Sequence, residues 1–332
     1  QKSTRVIELF ENGGIEVHDN VKARAYGGLT FVVFIWGISP LLTLRLYRYY
    51  SPAFRLFLAQ LVLLPAYLLI SGRHLREINA SYIRVGMITG LFLALADICQ
   101  KIGLAYTTPS RYAFFENLSC ITVPAVSYFI TKKKPRRSAV AAAVICLCGV
   151  LVLNGISFRG SAWGMGELLC AAAGLFYGVN IAVTGAYAKK FFAPLYLAVQ
   201  VAVEIAASGI TVLVLNAWEI ADKNGTLVPA EKIMYSLNPR HLLFLASVTL
   251  VSSALCWTVR TNSMKHVEAS AVAVIMPFSA VITSTASVIC GTERLTVRLV
   301  LGGLICLGAI FMSSLGDIKG KAQDCGADSP QC

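Results

Sequence analysis

Residues 112–130 read YAFFENLSCITVPAVSYFI, and this stretch decides the fold. It is apolar as far as Ile130, yet it keeps a carboxylic acid, Glu116, beside an amide, Asn117. A helix crossing a bilayer needs about 20 mostly apolar residues, because its backbone groups must be satisfied without water. Apolar runs of this length recur along the whole chain. Of the 332 residues, 56% are hydrophobic and only 14% charged, with mean hydropathy +0.68. A soluble domain carries about 25% charged residues. The pattern predicts an all-α integral membrane protein with ten transmembrane helices, at about 25–44, 52–71, 83–103, 107–130, 137–156, 163–187, 192–216, 242–262, 267–290 and 296–315. No isolated apolar run with a small-residue cleavage site stands near the N-terminus, so no cleaved signal peptide is expected. Residues 1–24 read as a cytosolic arm and 316–332 as a cytosolic tail.

The net charge of +12 does not point to nucleic acid, because the cations sit between the apolar spans. With the N-terminus inside, inner segments hold 18 of the 29 Lys and Arg residues and outer segments 11, chiefly through TKKKPRRS at 131–138. Both termini are therefore expected in the cytoplasm of a multi-pass cell-membrane protein. Most of the ten Cys residues lie in or beside spans, where a free Cys acts as a small hydrophobe. Only Cys325 and Cys332 stand where a disulfide is plausible. Cys146 and Cys148 diverge on a helix and make a poor metal site. The four His residues are dispersed, and neither a zinc helix nor a phosphate loop occurs. No enzyme activity, metal or cofactor is expected.

The chain repeats itself. ICL at 145–147 returns at 305–307, and the same offset of 160 aligns Ser110 with Ser270, Ala113 with Ala273, Ser119 with Ser279 and Ser127 with Ser287. WGIS at 36–39 matches YGVN at 177–180 with an offset of 141. Each half, 25–156 and 160–315, holds five expected helices. An odd number forces the halves into opposite orientations, the inverted-repeat plan of secondary transporters.

Charges inside a span are rare and usually face a cavity or a partner. On a wheel of about 100° per residue, Thr108, Tyr112, Glu116, Ser119 and Ser127 form one polar stripe. Glu116 then binds a cationic group, carries a coupling proton or pairs structurally. Met276 stands opposite it in the repeat. Asn117 points elsewhere and suits an interhelical hydrogen bond. Glu204, with Gln200 one turn earlier, is the second intramembrane acid, while Glu167 reads as interfacial. Arg55 snorkels, neutralises an acid or holds a substrate carboxylate. Asp97 and Lys101 pair at i, i+4, and with Arg111 form either a candidate outer gate or a charged helix-end cluster. Trp36, Tyr177, Asn180 and Trp257 are candidate pocket residues for a flat or cationic solute. Gly86/Gly90 and Gly174/Gly178 read as close helix packing.

WGISPLL at 36–42, GLAYTTPSRYAFFENLSCITVP at 103–124, MKHVEASAVAVIMPFSAVITS at 264–284 and GTERLTVRLVLGGLICLGAIFM at 291–312 resemble the drug/metabolite transporter superfamily, and within it the EamA family of ten-helix exporters. The resemblance covers residues 25–315. It departs at Lys132–Lys134, where the family loop carries Gly-Glu, so that Lys133 is the counterpart of Glu293. It departs again at Asn117, the counterpart of Pro277. The resemblance implies export or exchange of small metabolites such as amino acids by alternating access, along a pathway among helices 1, 3, 4, 6, 8 and 9.

The expected function is a secondary transporter for a small polar metabolite, amino-acid or amine-like, with protons as candidate coupling ions. Its partners are the solute, the lipid bilayer and, in a candidate homodimer, a second copy. A non-transporting membrane sensor or scaffold and a lipid-handling protein are the alternatives.

Overall fold

A computed structural model describes residues 2–132, 137–154, 164–221, 236–291 and most of 296–312, with residues 2–20 traced only as backbone. Lys133, Glu293, Cys325, Cys332 and the 316–332 tail lie outside the described residues, as does the Arg111 side chain. The described residues are helical, with no strand among them.

The helices are α1 (Lys2–Leu46), α2 (Pro52–Ser71), α3 (Ala80–Ala105), α4 (Pro109–Glu116), α5 (Ser119–Thr131), α6 (Arg137–Asn154), α7 (Met165–Tyr187), α8 (Ala193–Ala221), α9 (Pro239–Thr249), α10 (Cys256–Ser263), α11 (Ala269–Ile275) and α12 (Phe278–Ile289). Helical residues resume from 297. Among the described residues, seven stretches are long and apolar enough to cross a membrane: Val21–Leu46, Pro52–Glu77, Ala80–Ala105, Met165–Lys190, Ala193–Ala217, Pro239–Ser263 and Ala269–Ile289. Ser119–Ile130, Val140–Gly149 and Val300–Ala309 are shorter apolar helices. Polarity is reversed relative to a soluble protein: Leu69 is 82% and Leu213 68% exposed, while Gln200, Glu204 and Arg260 are buried.

Two expected helices are broken, and at equivalent places. The expected helix 107–130 divides at Asn117–Leu118 into α4 and α5; the expected helix 267–290 divides at Met276–Pro277 into α11 and α12. Pro277 lacks an N–H and cannot bond the Ala273 carbonyl four residues back. The Cys120 thiol donates to that carbonyl instead (2.6 Å). The counterpart carbonyl, Ala113, accepts from the Asn117 side-chain amide (2.5 Å). Each break is closed by a matching tight turn, Cys120 N–H to Asn117 O and Ala280 N–H to Pro277 O. The predicted continuous polar stripe is interrupted in consequence.

The halves also meet reciprocally. A methyl group on Gly37 would collide with Ile282, and one on Gly178 would collide with Thr122. Thr122 and Ile282 are again 160 apart, and Gly37 and Gly178 are 141 apart. So α1 seats on α12 through one glycine, as α7 seats on α5 through the other. Gly86 and Gly90 bring α3 onto α8, against Val199, Gln200 and Val203. Gly174 lets α7 approach the Phe115 and Glu116 carbonyls.

A third irregularity joins α9 to α10. Leu250–Leu255 forms a π-helical segment. Trp36 Nε1 donates to the Ser252 carbonyl within it (2.7 Å).

Overpacking a closed contact costs about 1–3 kcal/mol. Gly37→Val and Gly178→Val should each lower the melting temperature of the purified protein by a similar amount. Gly27→Val, in open space, should change it little.

Candidate functional site

One cavity of the structure gathers the intramembrane charges. It offers about 110 Å³ to the centre of a water-sized sphere, room for several waters or a small solute. Three acids line it, Asp97, Glu116 and Glu204, and three bases, Arg55, Lys101 and Arg260. Its walls come from α1, α2, α3, α4, α7, α8, α10 and α12, with Ser119 at the start of α5 and Met276 and Ser252 from the irregular turns. The six helices that the resemblance implied are thus joined by α2 and α8, which bring Arg55, Gln60, Gln200 and Glu204. No described side chain of α6 or of the helical residues after 297 is among the lining residues.

Glu116 ends α4 at the break, where its side chain is released from the helical stack into the cavity. Gln100 Nε2 donates to it (2.9 Å), and Tyr112, one turn earlier, lines the cavity beside it. Lys101 bridges Gln100 Oε1 and Asp97, its Nζ standing 3.6 Å from Asp97 Oδ1. The Tyr177 hydroxyl donates to the same Asp97 oxygen (2.5 Å). Glu204 accepts from Gln60 and lies against Asp97, close enough for the two charges to interact. Asp97 therefore stands within the central network rather than at a helix-end cluster. Sequence spacing could bring it to Lys101 but could not show that α8 places Glu204 against it.

The other end of the cavity is organised by Arg260, which the sequence reading did not single out. Its guanidinium carbon lies 4.1 Å from the Trp257 ring centroid and 5.8 Å from that of Trp36. The two indoles are themselves 5.3 Å apart. Arg260 Nη2 donates to Asn180 Oδ1 (3.1 Å), and Asn180 Nδ2 donates to the Thr89 carbonyl (3.1 Å). Asn180 is fully buried behind Arg260 and is not part of the cavity wall. The aromatic faces expected to meet a cationic solute are thus occupied by the protein's own cation. Below them, Tyr196 donates to Thr89 (2.8 Å), accepts from Gln200 (3.2 Å) and bonds Thr184 (3.1 Å). The signal for Arg260 was available: a basic residue inside the expected span 242–262. The positive-inside count absorbed it as a loop cation.

Arg55 does not snorkel. It is 5% exposed and faces the cavity. Tyr112, Ser119, Trp36, Tyr177, Trp257 and Met276 also line it, whereas Thr108 and Ser127 do not. Glu167 is not a cavity residue: it caps α7 by accepting from Gly164 N–H (3.1 Å) and ties the α3–α4 turn to it by accepting from Thr107 Oγ1 (2.8 Å). Among the described residues no cluster of His, Cys, Asp and Glu could hold a metal ion.

A multi-pass helical membrane protein with buried charges gathered around one internal cavity is a transporter's architecture. The model of the EamA-like transporter family matches this chain twice, over residues 24–155 and 164–315, and the chain belongs to that family. An uncharacterized transporter of Archaeoglobus fulgidus is 27% identical over 193 residues, 56% of this chain and 56% of that protein. The chain thus matches about half the length of this curated relative. A protein of known crystal structure shares the fold with TM-score 0.63 and 17% identity, over 88% of this chain and 97% of its own.

Removing the Arg260 guanidinium leaves Asn180 and two indole faces without their partner. A buried hydrogen bond to a charged group contributes about 1.5–3 kcal/mol. Arg260→Ala should lower the melting temperature and alter tryptophan fluorescence. Arg260→Lys, which keeps the charge but loses the planar fork, should recover part of the stability.

Proposed function

We propose that this protein is a secondary transporter that exports or exchanges a small polar metabolite, amino-acid or amine-like, by alternating access. Glu116 carries the reading. It is a carboxylate delivered by a helix break into a cavity enclosed by helices of both halves. Gln100 takes up part of its hydrogen-bonding capacity. A carboxylate offers about four lone-pair sites, so a solute ammonium can be held there too. Trp36, Tyr177, Trp257, Met276, Tyr112 and Ser119 shape the surrounding wall, and Asn180 acts by holding Arg260.

The proposed architecture is ten crossings in two inverted repeats, 25–156 and 160–315, with both termini on the cytoplasmic side of the cell membrane. The double family match, the helix breaks 160 residues apart and the reciprocal glycine contacts support it. Alternating access then consists of one half rocking against the other around the shared cavity. Protons are the proposed coupling ions. Asp97 and Glu204 face each other in the cavity, two acids close enough for their charges to interact, and such a pair is a ready carrier for a proton. Lys101, beside Asp97, belongs to the same unit, and with Arg111 it is the proposed outer gate. A homodimer is the proposed assembly, one that nothing in the cavity requires.

The test is flux of an amino-acid and amine panel in proteoliposomes, with and without a pH gradient. Wild type should move at least one solute, faster with the gradient. Glu116→Gln should reduce that flux by about tenfold or more, the scale of one lost charge-assisted hydrogen bond. Equal flux by the Gln variant would move the binding role to Asp97 and Glu204. No flux of any panel member by wild type would overturn the solute class.

A further inference from the structure

The cavity's three bases are not equivalent. Lys101 is engaged by Asp97 and Gln100. Arg260 is engaged by Asn180 and stacks on Trp257. Arg55 has neither kind of partner. It is 5% exposed, its Nε, like that of Arg260, has no hydrogen-bond partner, and no described carboxylate lies within ion-pair distance of it. Asp97 is the acid whose charge bears on Arg55, but it accepts from Tyr177 and is paired with Lys101.

A guanidinium presents five N–H donors in a planar fork that matches a carboxylate with two parallel bonds. Such a fork, buried in a low-dielectric cavity with free donors, binds an anionic oxygen group more strongly than any exposed cation. The rest of the lining fixes which anion. Asp97, Glu116 and Glu204 share the same small space. A doubly charged phosphate would face three acids, whereas a carboxylate brings one negative charge. The opposite pole of the cavity, at Glu116, accepts hydrogen bonds and suits an ammonium.

We propose that Arg55 is the carboxylate anchor of the binding site, so that the transported solute is a carboxylate-bearing zwitterion rather than a simple amine. The assignment rests on the transport reading given above for the solute's place in the cavity, and it narrows the solute class. Arg55 contacts the solute; Lys101 and Arg260 hold the wall that surrounds it.

The experiment is thermal stabilisation of the detergent-solubilised full-length chain. Its probes are neutral amino acids, each compared with its carboxamide and its decarboxylated amine, and with glycerol phosphate as the phosphate probe. Wild type should bind at least one amino acid about tenfold or more tighter than the matching carboxamide. In Arg55→Gln that ratio should fall to about one. In Arg55→Lys, with charge but no fork, it should lie between. If Arg55→Gln shows no cooperative melt, the Lys variant decides: an unchanged ratio overturns the proposal. The proposal also fails if wild type binds carboxamide and acid alike, binds no carboxylate, or prefers the phosphate. Proteoliposome flux is read separately. Discrimination in binding without flux keeps the Arg55 assignment and removes the transport reading. Flux of amines alone, unaffected by Arg55→Gln, keeps transport and removes the Arg55 assignment.

Discussion

Charge neutralisation inside hydrocarbon governs the arrangement of this molecule. A lone charged side chain at the centre of a bilayer costs at least about 2.5–3.5 kcal/mol. Three acids and three bases from α2, α3, α4, α8 and α10 share one cavity, so every one of those helices must turn a particular face inward. The apolar side chains then take the outside, as Leu69 and Leu213 do. Small residues at Gly86, Gly90 and Gly174 let the helices come close enough for the charges to meet. Packing and electrostatics are therefore one problem here, solved by the same helix rotations.

The backbone obeys the same rule. A broken helix releases carbonyls that hydrocarbon cannot satisfy, so each break must carry its own donor. The two halves meet this need with different chemistry at the same position. Asn117 covers the Ala113 carbonyl from within its own helix. Pro277 has nothing to offer, and Cys120 reaches across from the other half to cover Ala273. The breaks have functional value because they end α4 at Glu116 and leave Met276 at the corresponding corner of the wall.

Much of this was legible in the sequence, and the illegible remainder has physical causes. The apolar runs, the offset of 160 and the acid at 116 need only periodicity and composition to be seen. Both helices were expected unbroken: the proline at 277 was a signal for a break that the apolar run outweighed, and an Asn inside an apolar run, as at 117, reads equally as an interhelical bond. Arg55 was ambiguous since a long side chain near a helix start reaches either water or the core, and only tertiary packing chooses. Arg260 was overlooked because topology arguments count cations without asking whether they are buried. The meeting of Asp97 with Glu204 joins residues more than a hundred positions apart, a relation that no local spacing contains.

The wide turn at Leu250–Leu255 has a consequence of its own. A π-helical turn amounts to one extra residue threaded into an α-helix. Everything beyond it is rotated by about 100° relative to an uninterrupted helix. Trp257 and Arg260 lie beyond it, and Trp36 grips the turn from α1. Deleting one residue there would swing Arg260 and Trp257 together, taking the guanidinium off Asn180 and both side chains away from Trp36, without changing any side chain of the cavity. The charge at that end of the cavity is thus set by a count of residues. Relatives that differ by a single insertion or deletion in this helix would present a different surface to their solute while sharing the same wall residues elsewhere.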